Sequence, residues 1–263
     1  YTTLFRSGFR RNDDFSINQR LLNRPPLILA IMKEIIEIGD KRLAVLIDKP
    51  ATPGHGYALS LHGGGLSVKE SDDYLRNCFT DRGFGVVSFD FSGWGESSGE
   101  RGECSLASRL QDALDVVKHY RLKLDFIVGT SMGGYLALKL LEKIEVPNLI
   151  LFCPAAYATS AWSLPFGGGF SEDIRRPNSF LESDAETICH AYRGNVLYIM
   201  GDNDEIIPAP IVRIYRESFR QAASFRAVQL EDCPHPIHRW APVNPEGMTT
   251  ILSEVSRFVG LTK

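Results

Sequence analysis

Apolar residues in this chain gather into short dense runs, and the stretches between them carry a helical period. The runs at 58–61, 85–89, 125–128, 148–152, 195–200 and 226–230 are rich in β-branched, leucine and aromatic residues, the pattern of strands buried on both faces. Between them, residues 72–81, 105–120, 133–142, 210–222 and 249–259 repeat apolar positions every three or four residues and read as helices with one buried face. Alternation of this kind predicts an α/β chain, with a mostly parallel central sheet and helices on both faces. Ahead of it, 32–38 and 43–47 flank Gly39-Asp40-Lys41-Arg42 and read as an antiparallel hairpin, although 27–38 also fits a helix. Ligands of such a sheet bind beyond the carboxyl ends of the strands, so the loops there are where chemistry is sought.

One interval breaks the alternation. Residues 154–192, between the runs ending at 152 and beginning at 195, are too long for a simple crossover and are expected to form a small cap insertion. Its Trp162, Phe166 and Phe170 are candidate pocket residues, packing of the insertion onto the body being the alternative for each. Gly167-Gly168-Gly169 reads as a hinge or an irregular turn.

The most informative motif is Gly129-Thr130-Ser131-Met132-Gly133, between an apolar run and a helical stretch. A serine flanked by glycines two positions away on either side, at a strand-to-helix turn, has the form of a nucleophile elbow. Glycines let helix and strand pass close together, and the serine stands over the positive end of the helix. A nucleophilic serine needs two backbone N–H groups aimed at the oxygen that becomes negative. His62-Gly63-Gly64-Gly65, after an early strand, supplies a candidate donor at Gly64, and Met132 supplies the second. His62, inside this loop, reads as a structural hydrogen-bonding residue rather than a base.

An acid and a base follow in chain order. Gly201-Asp202-Asn203-Asp204-Glu205 comes after a strand, and Asp204 is the preferred partner for a histidine, Asp202 being the alternative as a turn residue. The next strand leads into Pro234-His235-Pro236-Ile237-His238. His235, held between two prolines directly after the strand, is the preferred base, with His238 the alternative.

Serine, acid and histidine in this order, with the glycine-rich loop, resemble the α/β-hydrolase superfamily over about residue 42 to the C-terminus. The stretch Asp90-Phe91-Ser92-Gly93-Trp94-Gly95-Glu96-Ser97-Ser98-Gly99 strengthens the resemblance. In the family this loop borders the site without carrying the chemistry, which adds Trp94, with Gly65, to the candidate pocket. Pro234 departs from the small residue or glycine common before the family's base. The resemblance, closest to small-capped serine esterases, implies a carboxylesterase acting on small to medium acyl or aryl esters through an acyl-enzyme. A peptidase, amidase or thioesterase is the enzymatic alternative, and a binding protein that kept the fold but lost turnover is the non-enzymatic one.

Composition narrows the field further. With 263 residues, 44% of them apolar, the chain can bury one large core, and a formal charge of −3 gives no electrostatic case for nucleic acid or anionic membranes. No apolar segment has the length of a membrane span, and no cofactor motif or metal-ligand spacing stands out; Asp232, His235 and His238 make only a speculative metal cluster. Five widely spaced cysteines fit free thiols in a reducing compartment, so a cytoplasmic location is expected. The opening Tyr1-Thr2-Thr3-Leu4-Phe5-Arg6-Ser7 resembles a translated short-read sequencing adapter. Residues 1–24 are therefore expected to be an artefact of metagenomic assembly or a poorly packed segment, and the domain to span 25–263.

Overall fold

The computed structural model describes residues 31–261 except residue 53. Eight strands form one sheet: β1 (Met32–Ile38), β2 (Lys41–Asp48), β3 (Tyr57–Leu61), β4 (Gly85–Phe89), β5 (Leu124–Thr130), β6 (Asn148–Phe152), β7 (Asn195–Asn203) and β8 (Ser224–Pro234). Their spatial order is β1-β2-β4-β3-β5-β6-β7-β8. The β1-β2 and β2-β4 pairs are antiparallel, and every later pair is parallel. The expected hairpin is present and Met32–Ile38 is a strand, not a helix; residues 27–30 and the 1–24 segment lie outside the described residues.

Eight α-helices are described: α1 (Arg76–Thr80), α2 (Leu106–Tyr120), α3 (Met132–Leu141), α4 (Phe170–Ile174), α5 (Ala185–Ala191), α6 (Ala209–Ser218), α7 (Ile237–Trp240) and α8 (Pro245–Leu261). None of them is long and apolar enough to cross a membrane. Side chains of β5 alternate between the two helix layers. Phe126 meets Phe79 of α1 and Phe258 of α8, whereas Gly129 faces α3 at Ala137. Phe126, Ile127 and Leu151 are fully buried, which explains why the central strands read as unbroken apolar runs.

Four elements differ from the sequence pattern, each for a tertiary reason. The stretch at 72–81 is a 3₁₀ turn followed by the five-residue α1. Asp72 accepts a hydrogen bond from Ser60, and Arg76 reaches Asp48, Asp73 and Ser88, so polar ties to the sheet shape this segment. Helix α6 stops at Ser218 rather than 222, because the Ala223 N–H donates to Arg193 and Gly194 and turns the chain into β8. Strands β7 and β8 outrun their apolar cores, pairing as far as Asn203 with Pro234. That extension brings the acid loop and the histidine loop side by side.

Between β6 and β7 the segment holds two 3₁₀ turns, α4 and α5. Helix α5 packs against α3 and α6, so it belongs to the layer covering the sheet. The part before it is pinned to the 102–107 stretch: Phe166 N–H donates to Cys104 O, Gly167 N–H to Gly102 O, and Ala107 N–H to Trp162 O.

Candidate active site

At the carboxyl end of β5 the chain turns sharply into α3, and Ser131 takes the turn at φ 52°, ψ −115°. A non-glycine residue at positive φ is strained and persists only where its surroundings fix it. Here the Ser131 N–H donates to Phe152 O at 2.9 Å and its carbonyl accepts from Ala155 at 3.0 Å. The flanking glycines are steric necessities. A Cβ on Gly133 would lie 1.9 Å from Leu61 O, and one on Gly129 would lie 2.6 Å from Gly133 O.

The structure brings the preferred acid and base to this serine. His235 Nε2 lies 3.0 Å from Ser131 Oγ, and its Nδ1 lies 2.8 Å from Asp204 Oδ2. The Asp204 side chain is fully buried, while that of His235 is 18% exposed. The second oxygen of Asp204 accepts the N–H groups of Ile206 and Ile207 at 2.9 and 3.0 Å. Burial alone would raise this carboxyl's pKa, but the hydrogen bonds from His235, Ile207 and Ile206 outweigh it and hold the group below its ordinary range. An ionised Asp204 keeps the proton on Nδ1 and leaves the Nε2 lone pair facing the serine hydroxyl, the arrangement needed for proton abstraction.

The alternatives sit elsewhere. Asp202 is exposed. His238, on α7, is 8% exposed, with Tyr74 Oη 2.8 Å from Nδ1 and Thr130 Oγ1 2.7 Å from Nε2; burial pushes its imidazole down to about 3. His62 lies 2.8 Å from Gly63 O through Nδ1, and its Nε2 accepts the Phe91 N–H at 3.4 Å; burial, reinforced by the Arg109 charge, pushes it down to about 3. Both rings stay neutral at pH 7.

Among the described residues, two backbone N–H groups beside the serine have no protein acceptor. Met132 is the first residue of α3, so its N–H has no intrahelical acceptor. Among the described residues no protein group takes the Gly64 N–H either. The two residues are neighbours: a Cβ on Gly64 would sit 3.5 Å from Met132 Cε.

Ser131 and His235 open into a cleft of about 530 Å³ whose wall includes Gly65, Leu66, Tyr157, Ile206 and Pro236. Leu66 and Ile206 are 77% and 65% exposed and give the cleft an apolar lip. Of the expected pocket residues, Gly65 lines this cleft, whereas Trp94, Trp162, Phe166 and Phe170 do not. Trp94, Phe166 and Phe170 pack edge to face in sequence, and Trp162 lies against Tyr135 and Lys139. These aromatics fasten the β6–β7 segment to the body. Tyr157, Leu66 and Ile206 were not distinguished by the sequence pattern, since single apolar residues in loops carry no period. A wider groove of about 920 Å³ lies at the opposite, amino ends of β5 to β7, beside Leu124, Pro147 and Gly194.

Among the described residues, one group offers three potential metal donors within 4.8 Å of one another: Cys153, Asp204 and His235. Two of these are already hydrogen-bonded to each other, and burial pushes the Cys153 thiol well above its ordinary range, so it offers a poor ligand. Asp232, His235 and His238 do not form such a group. All five cysteines are free and buried.

Comparison with known proteins agrees with this architecture. A sequence model of the serine aminopeptidase S33 family (Hydrolase_4) matches residues 54–171. The chain resembles the mouse alpha/beta hydrolase domain-containing protein 10, with a TM-score of 0.65 and 19% identity, covering 88% of this chain and 100% of that one. It also resembles an esterase from Exiguobacterium antarcticum, with a TM-score of 0.62 and 18% identity over 86% of this chain and 100% of that one. The chain has the α/β-hydrolase fold, and its residues 54–171 resemble the serine aminopeptidase S33 family. An uncharacterized 31.7 kDa protein of the traX-finO intergenic region from Escherichia coli is 38% identical over 67 residues, and this match spans only 23% of either chain.

Proposed function

We propose that the chain is a serine hydrolase that cleaves carboxylic esters of small to medium acyl or aryl acids through an acyl-enzyme. The observation that carries this reading is the hydrogen-bonded chain from Ser131 through His235 to Asp204 at 3.0 and 2.8 Å, opening onto a cleft. Ser131 Oγ attacks the ester carbonyl as its proton passes to His235 Nε2, and Asp204 stabilises the imidazolium. The carbonyl oxygen becomes negative and is held by the N–H groups of Met132 and Gly64. His235 returns the proton to the departing alcohol, and then takes one from the water that releases the acid.

The matched family name gives an aminopeptidase reading specific support. An aminopeptidase must hold a substrate ammonium beside its serine, which calls for a carboxylate in the cleft wall. Among the described residues lining the cleft there is no Asp or Glu, and Arg239 is the cation present. An apolar lip with a cation nearby suits an ester better than a free amino terminus. The segment from residue 154 to α5, seated beside the cleft through Tyr157, serves as a small cap. A partly exposed Ser131, hydrogen-bonded to its base, also argues against a binding protein that has lost turnover.

The deciding experiment measures initial rates on short-chain, long-chain and aryl esters, a thioester and an aminoacyl amide, with Ser131→Ala alongside. Ester turnover that the substitution lowers by about 10⁴-fold or more is expected. Turnover of the amide alone moves the reading to a peptidase. Absence of any serine-dependent turnover defeats it.

A further inference from the structure

Helix α2 carries an arginine inside its apolar stripe. Leu106, Arg109, Leu110, Asp112, Ala113 and Val116 are its buried residues, and Arg109 is fully buried among them. Its guanidinium lies 3.7 Å from the centre of the Trp94 ring, 4.5 Å from Phe91 and 5.5 Å from Phe166. Among the described residues no carboxylate forms an ion pair with it, and Nε and Nη2 have no protein hydrogen-bond partner. The nearby Asp112 is committed to Lys41 and to the Ser92 N–H. Burying an unpaired charge costs several kcal/mol even after relaxation, and the aromatic faces return only part of that. Burial drives the guanidinium's pKa down to about 9, so the charge persists at pH 7.

Nη1 of this group donates to Gly63 O at 3.3 Å and touches Met132 Sδ at 3.2 Å. The same carbonyl accepts His62 Nδ1–H at 2.8 Å, the tautomer being set by the Phe91 N–H on the other ring nitrogen. Gly63 O belongs to the peptide whose N–H is that of Gly64. No cis peptide occurs among the described residues, so this N–H points away from the two donors. Two donors on one carbonyl also polarise the amide and strengthen what its N–H can give.

Resting on the serine-hydrolase reading above, we infer that Arg109 is a positioning residue of the oxyanion site. It fixes and polarises the Gly63–Gly64 peptide, and it places an uncompensated positive charge behind both N–H donors. The benefit appears only when the substrate oxygen becomes negative, so Arg109 acts on turnover rather than on substrate binding.

The test compares wild type, Arg109→Met and Arg109→Lys for kcat and KM on an aryl ester and for Tm. It adds inhibition by an aryl trifluoromethyl ketone: Ser131 Oγ bonds to its carbonyl carbon, the carbonyl electrons move to oxygen as a negative charge, and the serine proton goes to His235. Arg109→Met is expected to lower kcat about 10- to 100-fold with KM within about threefold, and to weaken the ketone by a like factor. Its Tm is expected to rise, because methionine fills the aromatic cage without burying a charge. Arg109→Lys, which keeps the charge, is expected to lie closer to wild type in kcat and ketone affinity.

A methionine variant with wild-type kcat and ketone affinity overturns the proposal. So does one that melts below wild type or fails to fold, which makes Arg109 a structural anchor, and so does a lysine variant as impaired as the methionine one. Wild-type turnover lost in Ser131→Ala but kept in Arg109→Met defeats this inference alone. A wild type without serine-dependent turnover defeats the hydrolase reading itself.

Discussion

His235 and His238 stand three residues apart and line the same cleft, yet they are chemically different groups. His235 is partly exposed, touches a buried carboxylate through one nitrogen and faces a hydroxyl through the other. His238 is buried between two neutral hydroxyls, those of Tyr74 and Thr130. A proton taken by His235 is stabilised by Asp204, whereas among the described residues no carboxylate is hydrogen-bonded to His238 to stabilise one. The lesson is that proximity and ring type do not make a base. A charge to receive the imidazolium and room for a substrate do.

The comparison breaks most sharply at His235. His235→Ala is expected to lower kcat/KM for esters by about 10⁴-fold or more while the protein still folds, read by steady-state kinetics beside circular dichroism. A loss under tenfold hands the base role to another group. Asp204→Asn leaves the shape intact but lets the amide donate to Nδ1, which favours the wrong tautomer, so a loss of about 10²- to 10⁴-fold is expected.

Asp204 also has a stability signature. Because the folded state holds its carboxyl below the unfolded value of about 3.9, its contribution is complete above that pH and is lost as pH falls through the folded value. Melting curves of wild type and Asp204→Asn should therefore converge as pH drops from about 5 toward 3, once this carboxyl protonates. A gap that stays constant over that range removes the charge from the account.

The smallest effect on activity is expected at His238. His238→Gln keeps one donor and one acceptor between Tyr74 and Thr130, and should change kcat by less than about tenfold while costing about 1–2 kcal/mol of stability. A ring buried neutral, with its pKa pushed down to about 3, stabilises the fold fully above the unfolded value of about 6.5 and progressively less as pH falls below it. Removing His238 should thus flatten the loss of Tm between about pH 6.5 and 4. A large kcat loss with unchanged Tm overturns the separation of the two histidines.

Much of this architecture was legible in the sequence. The runs at 85–89 and 148–152 coincide with β4 and β6, because strands buried on both faces must be apolar at every position. The elbow was legible as well, since only glycine fits where a Cβ would meet Leu61 O or Gly133 O. The pocket was not. Trp162, Phe166 and Phe170 read equally as pocket residues or as packing of the insertion onto the body, because aromatics in a long insertion have no period to assign them. Backbone bonds from Phe166 and Trp162 to the 102–107 stretch turn them onto the body instead. Arg109 carried an unused signal: a cation at an apolar-stripe position of a helix is either buried or misread.

The sequence by itself determined the strand and helix order, the strained turn at Ser131 and the order of serine, acid and histidine, because each depends on local sterics or on periodicity over a few residues. Tertiary structure alone decided which histidine meets the serine. That choice follows from the β7–β8 register, which pairs Asn203 with Pro234 and sets Asp204 beside His235, and from the burial of His238 under Tyr74. It also decided that Arg109 is buried against Gly63 O with no carboxylate paired to it among the described residues, a consequence of how α2 packs on the glycine loop. Partners and dielectric are properties of residues brought from distant parts of the chain, and no local pattern encodes them.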